Sequence, residues 1–385
     1  SSTMLEYFWG DSTLFIFSIS EGQIFLHKNS IHKNLSEDLE RLLTRIREPD
    51  MSMESLYSFV SSAESLYDRL IPQIVQTFPT KNLYVVPDGP LSYLPFEVLI
   101  AEHSFAKSNS SIPSQVYRDL AYLFKEYNIH YVYSASLLSV KKQYKQSQSG
   151  ELATFAPEYK GPLQLQLNQG SAQQIEGIIG GMSFLGSQAS ESNFKSEADN
   201  FRAIHLAAHG NANVEIPINA YLDFGNDEGT EEDGQLYAYE LYSLSLKNEL
   251  VSLIACEAGF GKLESGEGVF SLARAFEIAG AKSIMTSLWR ADGRAASPIS
   301  EKFYLALKSG KKPSEALQSS KIEFLEQASP DMTHPYFWAT YIITGRNEVI
   351  WTPFFKTYGR WLILGIVFIL LFSYFKIKSK KIKLS

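Results

Sequence analysis

One cysteine, Cys256, stands in a chain of 385 residues. A lone thiol excludes an internal disulfide and a multi-cysteine zinc site, which leaves a small buried hydrophobe or a working nucleophile. Positive charge is also scarce: 35 Lys and Arg against 42 Asp and Glu leave a net charge of −7. With no basic field to attract a phosphate backbone, nucleic acid is not an expected partner. The glycine-rich run at 259–268 lacks the Gly-Lys-Ser/Thr ending of a phosphate loop, and Asp223, Asp227 and Asp233 lack the spacing of a calcium loop. No cofactor and no metal is therefore expected. No internal repeat is evident. The first residue is serine rather than methionine, so the segment reads as an excised or processed piece and the lack of a targeting segment carries no weight.

What is present is a 45% hydrophobic, 13% aromatic chain, enough to build one large or two ordinary domains around a substantial core. The residues at 7–20 and 23–27 read as a β-hairpin around Glu21-Gly22, and 35–47 and 53–71 as helices. Further strands are expected at 82–86, 129–133, 152–155, 203–208, 251–255, 283–288 and 337–344. Helices are expected between them at 117–125, 172–180, 269–279, 298–308 and 313–326. Strands alternating with helices at these distances predict an α/β fold, a three-layer sandwich around a mostly parallel sheet. Domain organisation follows: 1–345 as one domain, with the hairpin and helices of 1–75 as its leading subregion, then a linker at 346–357.

The C-terminal segment carries no charge from Trp361 to Phe375 and is followed by Lys376, Lys378, Lys380, Lys381 and Lys383. Roughly 15 uncharged residues are short against the ~20 of a spanning helix, but Arg360 can snorkel and Tyr358, Trp361 and Tyr374 fit an aromatic belt. A transmembrane helix is expected at 358–375 with a cytoplasmic basic tail at 376–385. That makes the chain a single-pass membrane protein with its folded domain extracytoplasmic, periplasmic in a bacterium. A buried core helix is the alternative for the same residues.

Two apolar runs end in residues suited to covalent chemistry. Residues 203–208 run into His209-Gly210, and residues 250–255 run into Cys256. Parallel strands buried on both faces read as such runs, and in open α/β sheets the working groups sit beyond the carboxyl ends of the strands. If the two strands are neighbours, His209 faces Cys256 as a base faces its thiol. His205 shares the face of His209 and is read as a core or supporting residue. His27, His32, His103, His130 and His334 have no cysteine or carboxylate pattern around them and are read as structural. The acidic stretch 211–234 follows His209 directly and either frames the site or is a solvated loop.

Six blocks in series carry a resemblance: 82–99 (NLYVVPDGPLSYLPFEVL), 204–210 (IHLAAHG), 253–259 (LIACEAG), 266–269 (GEGV), 279–289 (AGAKSIMTSLW) and 334–345 (HPYFWATYIITG). Together they resemble the CHAT family of caspase-like and separase-like cysteine peptidases. The resemblance implies the caspase-hemoglobinase fold, His209 and Cys256 as a catalytic dyad, and the amides of Gly210 and Cys256 as oxyanion donors. In separase-like relatives an acidic residue four positions after the tryptophan receives a basic substrate side chain. Here that position is Gly293 and Asp292 precedes it, so Trp289 and Asp292 are the candidate substrate-binding residues. The implied function is that of a cysteine endopeptidase acting on protein substrates through a thioester, regulated by upstream tetratricopeptide repeats or a regulatory protein. A peptidase-like binding or scaffold module without turnover is the competing class.

Overall fold

The computed structural model describes residues 2–31, 33–101, 112–136, 148–159, 168–225, 231–254, 259, 261–264 and 268–353. Its strands are β1 (Thr3–Trp9), β2 (Thr13–Ser20), β3 (Gln23–Ser30), β4 (Asn82–Val86), β5 (Asn128–Tyr131), β6 (Gly150–Ala156), β7 (Met182–Leu185) and β8 (Phe201–Leu206). The later ones are β9 (His209–Asn211), β10 (Tyr221–Asp223), β11 (Gln235–Tyr237), β12 (Leu250–Leu253), β13 (Lys262–Glu264), β14 (Gly268–Phe270), β15 (Ser283–Ser287) and β16 (Tyr341–Gly345). Among the described residues eleven of them form one sheet in the order β3-β2-β1-β4-β5-β16-β15-β12-β8-β6-β7.

The sheet is mixed but mostly parallel. β1, β4, β5 and β16 run one way, and β15, β12, β8, β6 and β7 run the other, so the antiparallel β15–β16 pair is a seam between two parallel halves. Helices cover both faces of the second half, and alternation along its strands shows it. Ala203, Leu250 and Met285 point into the core shared with the helices Gly293–Lys308 and Pro313–Gln327. Their neighbours Ile204, Val251 and Ile284 point into the other core, with Phe194, Leu241 and Phe276. Successive residues buried on opposite faces are what a continuous apolar run means.

The N-terminal region departs from the simple hairpin. Gly10 N–H bonds Thr13 O at 3.1 Å and breaks 7–20 into β1 and β2, and positive φ at Glu21 (51°) and Gly22 (79°) makes the tight turn into β3. The result is a three-stranded antiparallel extension of the sheet. The helix Met53–Leu70 starts where Ser52 accepts from Ser55 N–H at 3.1 Å, and it buries Leu56, Phe59, Val60, Ala63, Leu66 and Leu70 on one stripe.

The last expected strand, 337–344, starts late. Pro335–Trp338 is a helical turn capped by His334, and only Tyr341–Gly345 joins the sheet, against the direction of β15. The single-pass membrane localisation is corrected too: no helix among the described residues is long and apolar enough to cross a membrane. The stretch 358–375 and the tail 376–385 on which that expectation rested lie outside the described residues.

Candidate active site

β8 and β12 are adjacent and parallel, with Ala203 opposite Leu250, Ile204 opposite Val251, His205 opposite Ser252 and Leu206 opposite Leu253. Pairing continues one step further, where Ile254 N–H donates to Leu206 O at 2.9 Å. His209 and Cys256 are thus each three residues beyond a matched pair, Leu206 and Leu253. Cys256 itself lies outside the described residues, as do 255, 257 and 258.

His209 is well anchored. It opens β9, whose partner β10 sets Asp223 opposite His209 and Leu222 opposite Gly210. Its backbone N–H donates to the Tyr159 hydroxyl at 2.9 Å, and that hydroxyl donates in turn to Asp223 O. The Tyr159 and His209 rings lie 4.5 Å apart at 60°. His209 is half-buried, its ring packed against that of Tyr159. Tyr159 was not foreseen from the sequence. The signal was its place three residues past β6, the strand beside β8, which brings a third loop to the same end of the sheet.

The far flank of the cysteine loop is held as tightly. Gly259 N–H bonds Ser287 O at 2.9 Å. A Cβ at position 259 would stand 2.9 Å from Thr286 Cγ2 and 3.0 Å from Ser287 O, so only glycine lets this loop lie so close to β15.

The other candidates take scaffold positions. His205 is buried, its Nδ1 3.3 Å from the Tyr304 hydroxyl, and burial pushes its imidazole down to about 4, so it is neutral and part of the core. Trp289 is 5% exposed, its indole N–H donating to Tyr336 O at 3.0 Å and its backbone bonded to Thr340. Its surroundings are those of a core residue rather than an open cleft wall. Asp292 caps the helix Gly293–Lys308 through Arg294 N–H, and the Arg294 guanidinium, 2.9 Å away, holds its carboxyl below the usual range. From the acidic stretch Glu232 converges with Glu191 and Glu240, and the Lys195 ammonium is 2.7 Å from each. The lysine fills the place a cation would take, so the cluster is an internal ion network that pins the segment before β11 to the helix Glu191–Glu197.

A family model described as "CHAT domain" matches residues 60–346. Among curated proteins, Tetratricopeptide repeat protein 28 of Homo sapiens is 32% identical over 119 residues, and that of Mus musculus is 30% identical over 119 residues. These matches cover 31% of this chain and 5% of each relative. Among solved structures, a chain of the Saccharomyces cerevisiae separase-securin complex superposes with a TM-score of 0.54 at 10% identity, covering 90% of this chain and 30% of the other.

Proposed function

This chain belongs to the CHAT domain family, and from that premise we propose that it is a cysteine endopeptidase working through His209 and Cys256. The observation that supports the reading is the register of β8 with β12, in which Leu206 is matched with Leu253, so that His209 and Cys256 follow matched residues at the same distance along the sequence. In the proposed reaction the His209 imidazole takes the thiol proton as Cys256 Sγ bonds to the substrate carbonyl carbon. The oxyanion is received by the amides of Gly210 and Cys256. The amine then leaves with the proton from His209 and a thioester remains; water gives a proton to His209 as it bonds to the thioester carbon, the C–S bond breaks, the acid product departs and the Cys256 thiolate takes the proton back. Tyr159 holds the His209 backbone in place throughout.

Activity is proposed to answer to a regulatory protein or an upstream domain. A second reading, a peptidase-like scaffold without turnover, draws support from relatives named for tetratricopeptide repeats. Mapping of new protein N-termini in cells carrying the intact protein against Cys256→Ala separates the two. Termini that vanish in the variant support the peptidase; their absence under every inducing condition favours the scaffold.

A further inference from the structure

The two margins of the eleven-stranded sheet are finished differently. β7, at one margin, is four residues long, and a short edge strand is one way a sheet avoids pairing with another chain. β3, at the other, runs for eight residues and is matched to β2 at every one of them, with no bulge and no proline. Ile24 and Leu26, 67% and 49% exposed, make its outer face apolar. Lys28 is its one charge at neutral pH, and the ammonium lies 5.7 Å from the centre of the Phe15 ring on β2, folded back over the sheet rather than guarding the edge.

The turn at Glu21-Gly22 fixes which backbone groups of β3 are free. Positive φ at both residues marks a two-residue turn whose flanking residues, Ser20 and Gln23, exchange backbone hydrogen bonds. Alternation then turns the N–H and C=O of Gln23, Phe25, His27 and Asn29 toward β2, and Ile31, next in that series, donates its N–H to Ser12 O at 2.8 Å. The N–H and C=O groups of Ile24, Leu26, Lys28 and Ser30 therefore point away from β2, and no backbone group among the described residues takes them.

We propose that this edge pairs with the β3 of a second copy of the chain, antiparallel about a two-fold axis at Leu26, so that two eleven-stranded sheets become one. An outward-facing residue exchanges bonds only with another, so even-numbered residues oppose even-numbered ones, and near-complete overlap then allows an axis at Leu26 or at His27. The His27 axis brings the two Lys28 within about 8 Å on one face, whereas the Leu26 axis holds them about 14 Å apart, beyond the ~8 Å screening length of physiological salt. It also lays each lysine stem along Ile24 of the second copy and joins Phe17 and Leu26 to their counterparts in one apolar row. About six backbone bonds form between residues 24 and 28 of the two copies, within the range of a specific interface. β8 lies eight strand steps from β3, roughly 38 Å away, so the pairing covers neither candidate active site and does not depend on turnover.

The test is sedimentation equilibrium of the full chain between about 1 and about 200 µM, with hydrogen exchange resolved by residue at both ends of that range. The mass is expected to rise from 43.3 kDa toward twice that value. Exchange at Ile24, Leu26 and Lys28 is expected to slow at least about tenfold at the high end, while Phe25 and His27, already bonded to β2, change little. Leu26→Pro deletes an outward N–H and spares the bonds to β2, so it is expected to weaken association at least about tenfold with little change in melting temperature. Phe8→Ser, on the same sheet face two strands in from the edge, is expected to leave association intact. Loss of association with Phe8→Ser but not with Leu26→Pro identifies stacking of sheet faces and overturns the proposal. So does a mass of one chain at every concentration, or association retained by a Leu26→Pro variant that melts at the unmodified temperature. Exchange at Ile24, Leu26 and Lys28 that ignores concentration overturns it with no variant at all.

Discussion

Acidification acts on this fold through three buried histidines. His130, His205 and His334 are each pushed from 6.5 to about 4, mainly by burial. Each is built to be neutral: His130 Nε2 donates to Gly345 O at 2.8 Å, His205 Nδ1 meets the Tyr304 hydroxyl, and His334 Nδ1 accepts from Tyr336 N–H at 3.1 Å as a helix cap. Because the folded pKa is depressed, the unfolded chain binds more protons between pH 6.5 and 4. Stability is therefore fully present above about pH 7 and is lost as pH falls through that window. A depression of that size corresponds to ~3 kcal/mol for each histidine at the acid end. The three together reach ~10 kcal/mol, the order of a whole domain's stability. Between pH 6 and 5 the slope is expected to approach ~4 kcal/mol per pH unit, from about three protons taken up on unfolding. Glu191 and Glu277, raised by burial, titrate in the opposite sense and trim the slope at its acid end. Urea unfolding at half-unit steps from pH 7.5 to 4.5 reads this directly. His334→Asn, which keeps a capping acceptor, is expected to lower the slope by ~1.4 kcal/mol per pH unit. A urea midpoint that stays constant from pH 7 to 5 refutes the reasoning.

Three further outcomes follow from single contacts. Lys321 and Glu97 form a buried ion pair at 3.0 Å, so Lys321→Met strands a carboxylate and is expected to cost ~3–5 kcal/mol, much of it regained on adding Glu97→Gln. Urea midpoints of the single and double variants check this, and an equally unstable double variant counts against it. Tyr159→Phe removes the hydroxyl that joins His209 N–H to Asp223 O; thiol alkylation is expected to slow several-fold for a stability loss of ~1–3 kcal/mol. Gly259→Ala forces its Cβ against Thr286 and Ser287 O and is expected to cost ~1–3 kcal/mol. Its alkylation rate should fall as well, and an unaltered rate and midpoint argue against the close packing.

Much of this architecture was legible in the sequence for a definite reason. The runs at 203–208 and 250–255 are apolar but for His205 and Ser252 because their strands are covered on both faces, and in segments this short few arrangements besides a buried strand produce that pattern. Strand direction was less accessible. β16 and β15 lie side by side antiparallel, and nothing in the residues 341–345 records which way the chain enters the sheet. Pro335 followed by three aromatics suits either a strand or a helical turn, and the His334 cap decided for the turn. The helix Gly293–Lys308 starts five residues before Pro298 because Asp292, expected to meet substrate, serves as its N-cap. The place of Tyr159 three residues past β6 becomes informative only once β6 is known to lie beside β8, a pairing the residues themselves do not record.

The claim on which the account turns is that His209 activates the thiol of Cys256. The rate of Cys256 alkylation by iodoacetamide, followed from pH 5 to 9 in the full chain and in His209→Ala, tests it most directly. The account predicts rapid modification well below pH 8 that collapses to the behaviour of an ordinary thiol, with a pKa of about 8.5, when the imidazole is removed. Identical pH profiles for the two chains contradict it.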